Sequence, residues 1–184
     1  MMSTEGSEAS DVLQFRIEPL DASRHRREGF DCGVEPLTIF LRERARKEVA
    51  SRTCACFIAV PTTEPGCIAS YYTLSSATIA LEQAPPELVR RLPRYPLLPE
   101  TLLGRLACDL RFKGVGLGRL LVMDALARAF QASREVGSVA VVTDPKETAV
   151  SFYEKLGFRR LRADRLFLTM ATIRDLLAGA AKGD

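Results

Sequence analysis

The chain has 184 residues, 47% of them hydrophobic and 27% charged, a balance typical of one globular domain with its own core. No apolar run approaches the ~20 residues that cross a bilayer, and the polar, acidic start differs from a signal peptide. We therefore expect a cytoplasmic protein without membrane contact, with a disordered lead-in over residues 1–11 and a single domain over residues 12–184.

The first half of the chain predicts a strand, a helix and a hairpin. Residues 15–20 (FRIEPL) have strand character, and apolar residues recur at helical spacing from Val34 to Ala50. Two strand-like runs, RTCACFIAV and GCIASYYTLSSATI, flank the turn PTTEPG and predict an antiparallel hairpin. Tyr71 and Tyr72 alternate faces of the second run, so we expect one in the core and the other near the substrate.

The second half predicts strands that alternate with helices. Five prolines between residues 85 and 99 indicate an irregular connection, with a short helix at PELVRRL. A strand over residues 102–110 leads through glycines into a helix that ends near Ser133. SVAVVTD predicts a buried strand, Pro145 and Gly157 fit the two ends of the next helix, and RLFLTM predicts a strand before a helical tail. This order predicts one α/β domain.

The cysteines give no indication of a metal site, whereas the distribution of charge favours an anionic ligand. The five cysteines include no Cys-x-x-Cys pair, and the single histidine, His25, is expected at the surface, so we predict buried reduced thiols and no metal site. The net charge is only +3, but residues 85–120 carry seven basic side chains against three acidic ones. This segment favours an anionic ligand, although a simply solvated surface has the same composition.

The segment RFKGVGLGRLL (residues 111–121) places three glycines between a strand and a helix. The first turn of a helix has unpaired N–H groups, and glycines let phosphate oxygens approach that backbone. Counted from Gly114, the spacing matches neither GxGxxG nor GxxxxGK[ST], because Arg119 stands where both require glycine. The segment therefore predicts a phosphate-binding turn of another class, or a purely structural turn.

The pattern Arg111-x-x-Gly114-x-Gly116-x-Gly118 resembles the coenzyme A pyrophosphate loop of the Gcn5-related N-acetyltransferases, [QR]-x-x-G-x-[GA]. TAVSFYEKLGFRRL (residues 148–161) is similar to a later segment of that superfamily, a helix with an aromatic pair followed by Gly-Phe and a strand. The resemblance implies a mixed, mostly antiparallel twisted sheet flanked by helices. Two central parallel strands, here residues 106–108 and 139–142, would splay apart around the pantetheine arm.

A longer resemblance points to one branch of the superfamily. FDCGVEPLTIFLRERA, YYTLSSATI, LPRYPLLPETLLGRLACDLRFKGVGLGRLLVMDAL and AVSFYEKLGF, in order over residues 29–170, resemble the acetyltransferase toxins of bacterial toxin–antitoxin pairs. Relatives usually carry valine where this chain has Cys108. The branch implies transfer of acetyl from acetyl-CoA to the amino group of an aminoacyl-tRNA, which blocks translation. It also implies a ribbon-helix-helix antitoxin as partner and often a homodimer.

The resemblance suggests a role for each candidate site residue. Tyr153 is the candidate general acid, because a phenol is protonated at neutral pH, and the backbone N–H of Cys108 is a candidate oxyanion donor. The alternative is that Phe152 and Tyr153 are core aromatics. Candidate coenzyme contacts are Leu106, Ala107, Cys108, Arg111, Lys113, Gly114, Val115, Gly116, Leu117, Gly118 and Arg119, and candidate contacts to tRNA phosphates are Arg90, Arg91 and Arg94.

The sequence alone leaves several candidates for the amine that accepts the acetyl group. No histidine or carboxylate pair is placed as an evident base, which favours an α-amino group, with a pKa of about 7.7–8.0, over a lysine at about 10.4. An acetyltransferase for a small-molecule amine or a protein amino group would keep the same loop without a basic acceptor surface. A non-enzymatic coenzyme A-binding module would keep the loop without needing Tyr153.

Overall fold

A mixed sheet of seven strands organises the computed structural model, which describes residues 14–90, 92–162 and 164–180. The lead-in predicted for residues 1–11 lies outside these ranges. The strands are β1 (Phe15–Pro19), β2 (Ala55–Pro61), β3 (Ser70–Ala80), β4 (Leu97–Cys108), β5 (Ala140–Thr143), β6 (Arg159–Arg162) and β7 (Arg165–Thr169), in the spatial order β1-β2-β3-β4-β5-β7-β6. The α-helices are α1 (Glu35–Ile39), α2 (Ala45–Ala50), α3 (Pro86–Val89), α4 (Leu117–Ala132), α5 (Val150–Lys155) and α6 (Met170–Ala180).

One neighbouring pair of strands is parallel, and it forms a fork. All other pairs are antiparallel, whereas β4 and β5 run parallel because α4 carries the chain back across the sheet. Thr101 pairs with Val141 and Leu102 with Val142; within the described ranges this ladder does not continue to residues 106–108. The mostly antiparallel sheet with splayed central parallel strands is therefore confirmed.

Hydrophobic packing covers both faces of the sheet. On one face, α4 buries Leu121, Val122 and Leu126 against Leu103 of β4 and Leu168 of β7. On the opposite face, Phe40 and Leu41 pack with Ile58 and Tyr71, and a smaller cluster joins Leu88 of α3 to Val142 and Phe167. Each such side chain contributes roughly 1.5–3 kcal/mol when it is fully removed from water. The two faces together hold the fork rigidly in the middle of the domain.

The helix predicted between Val34 and Ala50 contains a wider turn. A π-helical segment, Phe40–Arg44, separates α1 from α2, so a continuous α-helix was wrong in its centre. The wider turn places Phe40 and the adjacent Leu41 together in the core, and it lets Arg42 Nε donate to the Phe30 carbonyl at 2.8 Å. Local spacing alone does not reveal such a turn, because tertiary packing determines it.

The start of β4 also differs from the prediction. The strand begins at Leu97, inside the proline-rich segment predicted to be irregular, and it ends at Cys108 rather than at Leu110. The sheet tolerates Pro99 because this residue takes part through its carbonyl oxygen, which accepts a hydrogen bond from Val139 N at 2.9 Å. Leu110 instead belongs to a single 3₁₀ turn, for which Asp109 is the N-cap. The short helix predicted at PELVRRL is confirmed as α3.

His25 is buried, contrary to the expected surface position. Its Nδ1 accepts from the Asp21 N–H at 3.0 Å, and its Nε2 lies 2.8 Å from Glu18 Oε1, so the ring is satisfied at both nitrogens. The predicted free thiols are confirmed: Cys108 is half-buried and the other four cysteines are buried. None of the helices in the described ranges is long and apolar enough to cross a membrane.

Candidate active site

The glycine-rich segment forms an open turn between β4 and α4. Gly114 and Gly116 adopt φ values of +83° and +84°, in the left-handed region that favours glycine. Gly116 is the N-cap of α4, and no side chain of the described residues caps the helix there. A Cβ atom added at either glycine would have no described atom within 4 Å. The turn therefore presents unpaired helix N–H groups to open space, which suits a phosphate.

Asp109 holds the entrance of this turn in place. Its buried carboxylate accepts from the Arg111 N–H at 2.9 Å, from Arg111 Nε and Nη2 at 2.8 and 3.0 Å, and from the Asp31 N–H at 3.0 Å. Burial opposes ionisation, but the hydrogen bonds from Arg111 and Asp31 outweigh it, so the pKa of Asp109 lies below its usual value. The Arg111 guanidinium is thus engaged by the loop itself, although about half of its side chain is exposed.

The Phe-Asp-Cys-Gly segment, residues 30–33, packs directly behind the turn. The Asp31 carbonyl accepts from Leu110 N at 2.8 Å, and its carboxylate accepts from Gly33 N at 2.8 Å. Gly33 has a φ of +73°, and a Cβ there would approach Leu110 Cδ2 to 3.3 Å. The motif found in the sequence therefore supports the glycine-rich turn from a position almost 80 residues earlier in the chain.

Two N–H groups of β4 are directed at the fork. Arg105 N donates to Thr73 Oγ1 at 3.1 Å and Asp109 N to the Ala69 carbonyl at 2.9 Å, both on the β3 side. Because successive N–H groups of a strand alternate between its edges, those of Leu106 and Cys108 are directed at the gap beside β5. The backbone of Ala107 instead pairs toward β3, so the sequence-based coenzyme contact at Ala107 has no N–H directed at the gap.

Tyr153 links the core to this gap. Its ring is only 6% exposed and meets Phe152 and Phe158 edge to face, with centroids 5.0 and 5.4 Å away. Burial raises the pKa of Tyr153 to about 12, with a smaller contribution from nearby Cys108, and a hydrogen bond with Thr143 acts in the opposite direction. The ring is thus a core aromatic, while the protonated hydroxyl lies between the ends of β4 and β5.

The surroundings of Cys108 keep its thiol neutral, and those of Gly118 leave little room for a side chain. Burial raises the pKa of the Cys108 thiol to about 11, so this side chain is a neutral thiol near pH 7. A Cβ at Gly118 would approach Phe152 Cζ to 3.3 Å, so this glycine allows α4 to pack closely on α5. Gly118 therefore differs from Gly114 and Gly116, whose surroundings are open.

The basic residues of the 85–120 segment do not form one surface. Arg90 and Arg94 are exposed before β4, whereas Lys113 and Arg119 are in or beside the glycine-rich turn. Of the two apolar residues of this turn, Val115 is exposed and Leu117 is buried. The 12 residues of β4 lie between the two groups along the chain. Arg105 lies over the Phe40 ring at 3.8 Å and pairs with Glu48 at 3.7 Å. The candidate Arg91 lies outside the described residues.

Tyr71 and Tyr72 are both fully buried, so neither side chain is exposed for a substrate contact, as was expected for one of them. Tyr71 donates its hydroxyl to the Leu37 carbonyl at 2.7 Å, and Tyr72 donates to Asp124 of α4. Both hydroxyls tie helices to the sheet. Their adjacency in a strand predicted opposite faces correctly, but both faces of the sheet are covered at this point.

The sequence-based reasoning missed Glu100. It lies on β4 between Leu98 and Leu102 on one face of the strand, is only 3% exposed, and has an Oε2 atom with no hydrogen-bond partner among the described residues. Burial raises the pKa of Glu100 to about 7, although Arg165 and Arg162 act in the opposite direction. The available signal was an acidic residue at an apolar position of a period-2 pattern.

Comparison with known proteins gives consistent matches. The family model described as FR47-like protein matches residues 94–167. The probable toxin TacT of Sinorhizobium fredii is 30% identical over 172 residues, which cover 88% of this chain and 94% of that protein. The tRNA-acetylating toxin of Mycobacterium tuberculosis is 32% identical over 142 residues, covering 77% of this chain and 82% of the relative.

Solved structures match over the same extent. AtaT complexed with acetyl-methionyl-tRNAfMet has a TM-score of 0.82 and 28% identity, and the match covers 89% of this chain and 99% of that one. A Tyr-to-Phe variant of AtaT, bound to acetyl-CoA and to the C-terminus of the antitoxin AtaR, has a TM-score of 0.75 and 27% identity, with coverage of 89% and 98%.

Proposed function

Because this chain belongs to the family of N-acetyltransferase toxins that includes TacT and the tRNA-acetylating toxin, we propose that it transfers acetyl from acetyl-CoA to the α-amino group of an aminoacyl-tRNA. The observation that carries the proposal is the convergence of three features at one fork. The open glycine turn, the N–H groups of Leu106 and Cys108, and the Tyr153 hydroxyl all lie where β4 and β5 separate.

The residues around the fork fit acetyl-CoA. The turn from Lys113 to Arg119 has room for a diphosphate, because Gly114 and Gly116 leave the first N–H groups of α4 accessible. The N–H groups directed at the gap supply partners for the amides of a pantetheine arm. Bound in this way, acetyl-CoA supplies an activated acetyl thioester.

Tyr153 and Cys108 then serve the transfer chemistry. The Cys108 N–H would stabilise negative charge on the carbonyl oxygen of the thioester during attack by the amine. The Tyr153 hydroxyl, protonated at neutral pH, donates its proton to the sulfur as the C–S bond breaks. The buried ring restricts the hydroxyl to one position, which favours such a directed transfer.

The acceptor and the partners follow the same family. Arg90 and Arg94 are exposed cations that suit tRNA phosphates outside the coenzyme pocket, and Arg91 is included with them. Acetylation of the amino group would prevent the aminoacyl-tRNA from supporting translation. We further propose a cytoplasmic location, a homodimer, and a ribbon-helix-helix antitoxin as the inhibitory partner, in line with the antitoxin seen bound to AtaT.

The test mixes purified protein, labelled acetyl-CoA and charged tRNA, with uncharged tRNA as the control. We expect label on the charged tRNA only. Absence of label on tRNA together with ready transfer to polyamines or protein lysines would replace this function with that of a general N-acetyltransferase. Coenzyme binding without transfer to any amine would indicate a non-enzymatic binding module.

A further inference from the structure

A basic cavity of about 470 Å³ lies on the solvent side of the π-helical segment and α2. Four cationic side chains and a single carboxylate line it, together with Ala50: Arg27, Arg42, Arg46, Lys47 and Glu43. Their combined charge of +3 equals the net charge of the whole chain. Such a local excess favours an anionic ligand, and it lies outside the basic segment of residues 85–120.

Two of the cations, Arg27 and Arg42, are held in place by the backbone. Arg27 Nη1 donates to the Arg42 carbonyl at 2.8 Å, and Arg42 Nε donates to the Phe30 carbonyl at 2.8 Å. Arg27 Nε is buried and has no hydrogen-bond partner among the described residues. Each guanidinium carries five N–H donors, so these contacts leave donors available for a ligand. A guanidinium fixed in this way loses little side-chain entropy when it binds a phosphate.

The other two cations, Arg46 and Lys47, are exposed on α2 and have no ion-pair partner among the described residues. By contrast, Arg44 in the same helical stretch pairs with Glu48 at 2.9 Å. Glu43 shares the cavity but forms no ion pair with a described cation. Arg46 and Lys47 therefore retain their charge for a ligand.

The helical stretch that carries the cavity covers the face of the sheet opposite α4. Phe40 packs in one cluster with Ile58 of β2 and Ala107 of β4. On the same face, Leu88 of α3 packs with Val142 of β5. The strands of the fork, β4 and β5, thus lie between this helical stretch and α3. An acceptor that reaches the fork from this face has the cavity's helices on one side and α3 on the other.

The cavity is connected to the glycine-rich turn through a short segment of chain. Phe30, whose carbonyl accepts from Arg42, directly precedes Asp31. The Asp31 N–H donates to Asp109 at 3.0 Å, and Asp109 holds the entrance of the turn. The cavity and the turn are therefore built against the same segment, residues 30–33. A ligand in the cavity would lie beside the acetyl-transfer site and not on a remote surface.

We propose that this cavity binds a backbone phosphate of the RNA acceptor, with Arg27 and Arg42 as hydrogen-bond donors and Arg46 and Lys47 as further cations. The glycine-rich turn leads into α4 on the other face and suits the diphosphate of acetyl-CoA, so the cavity serves a different anion. An aminoacyl-tRNA with its amino group at the fork brings a chain of phosphates to this region, and guanidinium groups bind phosphate oxygens in pairs. The inference rests on the proposed function, because it takes the acceptor to be RNA.

The test is the binding of uncharged tRNA, which involves no acetyl transfer, over a range of salt concentrations. The double variant Arg46→Gln, Lys47→Gln removes the two exposed cations and leaves the hydrogen bonds of Arg27 and Arg42 in place. At about 0.1 M salt we expect tRNA affinity to fall by at least about tenfold, and the slope of log K against log salt to decrease by up to about 2. In acetyl transfer to charged tRNA, KM should rise by a similar factor with kcat nearly unchanged, because binding and not chemistry is affected.

Two further variants separate phosphate binding from other effects. The exchange Arg46→Lys, Lys47→Arg keeps both cations and should bind tRNA like the wild type. The double variant Arg134→Gln, Arg174→Gln removes the same charge from exposed positions after α4 and on α6, and it should keep the wild-type salt slope. Acetyl-CoA affinity and a thermal melt should be unchanged in all variants, which establishes that the fold and the glycine-rich turn are intact.

Three results would overturn the proposal. The first is equal tRNA affinity and salt slope in the cavity variant and in the Arg134, Arg174 control. The second is a loss of affinity with the wild-type slope, because the two residues would then not contact phosphates. The third is normal tRNA binding by the cavity variant together with loss of polyglutamate binding, because the cavity would then serve an acidic protein segment.

Failure of the proposed function gives a different result. If the wild type binds uncharged tRNA through the cavity but acetylates only other amines, the cavity stands as an RNA site and the proposed acetyl acceptor is wrong. If the wild type does not bind tRNA at any salt concentration, the cavity proposal is overturned, whichever amine is acetylated.

Discussion

The structure places the Tyr153 ring in the core, and the catalytic role of its hydroxyl stays a prediction. Its ring packs in the core between Phe152 and Phe158, and its hydroxyl interacts with Thr143 at the fork. A buried ring loses rotational freedom, so its hydroxyl is held in place before substrate binds. Core packing and catalysis are therefore compatible for this residue, because packing provides the orientation that proton transfer needs.

Tyr153→Phe should preserve the fold and coenzyme affinity but lower the single-turnover rate at saturating acetyl-CoA by about 10²–10⁴-fold. Only one hydroxyl is removed, and the aromatic contacts remain. Tyr95→Phe is the matched control, because Tyr95 is 63% exposed and removed from the core. A Tyr153→Phe rate within a factor of three of wild type would leave this residue as a core aromatic only.

Glu100→Gln should change stability in a pH-dependent way. The folded-state pKa of about 7 lies above the unfolded value near 4.5, so the stabilising contribution of the protonated form is complete below pH 4.5 and is lost as pH rises through 7. Above pH 8 the wild type is therefore destabilised by up to about 3 kcal/mol relative to acidic pH by this group. The amide avoids that cost.

Thermal melts at pH 5 and pH 8.5 measure this difference. We expect Glu100→Gln to gain stability relative to wild type at pH 8.5 and to differ little at pH 5. The exposed Glu135→Gln variant should show no pH-dependent difference. A variant that is less stable than wild type at pH 8.5 would mean that Glu100 is ionised and well compensated in the fold.

At the scale of elements, local sequence patterns predicted most helices, strands and turns. Contacts between distant parts of the chain could not be predicted in this way. The glycine turn and α4 could be read from residues 111–133, because each signal is contained in a few neighbouring positions. The support of that turn by Asp31 could not, since it depends on a contact between residues 78 positions apart. The π-helical segment and the burial of His25 were missed for the same reason, because tertiary packing determines both.

The glycine turn itself gives an element-scale prediction. Gly116→Asn should lower acetyl-CoA affinity by at least tenfold, because its side chain would occupy the open space in front of the first turn of α4. Asparagine tolerates the left-handed conformation better than other residues with a side chain, so the fold should survive. Isothermal titration calorimetry with acetyl-CoA measures the effect.

Gly157→Asn is the matched control for backbone strain. Gly157 has a φ of +93°, just past the end of α5, and a Cβ there would meet only Leu168 Cδ1, at 3.9 Å, among the described atoms. Both substitutions thus impose the same kind of strain, but Gly157 is not in the glycine turn. Equal affinities in the two folded variants would place the diphosphate elsewhere.

At the scale of the whole molecule, we expect the coenzyme and the tRNA to contact different parts of the 85–120 segment. The glycine-rich turn follows the last residue of β4, and Arg90 and Arg94 precede its first residue along the chain. An aminoacyl-tRNA carries phosphates that can contact cations outside the coenzyme turn, whereas a small amine does not. The basic residues of the 85–120 segment therefore include one group before β4 and another in the glycine-rich turn.

Acetylation of charged tRNA should fall steeply with added salt, because each phosphate neutralised by a protein cation releases condensed counterions. Replacing Arg90 and Arg94 together by Gln should weaken tRNA binding and reduce the slope of log K against log salt by up to about 2. Acetyl-CoA affinity should be nearly unchanged, because neither residue belongs to the glycine-rich turn. The control is the double variant Arg134→Gln, Arg174→Gln, which has the same change in net charge. Arg134 is exposed just after α4, and Arg174 is exposed on α6. Equal salt slopes for the two double variants would assign tRNA binding to another surface and reduce Arg90 and Arg94 to solvated residues of the connection before β4.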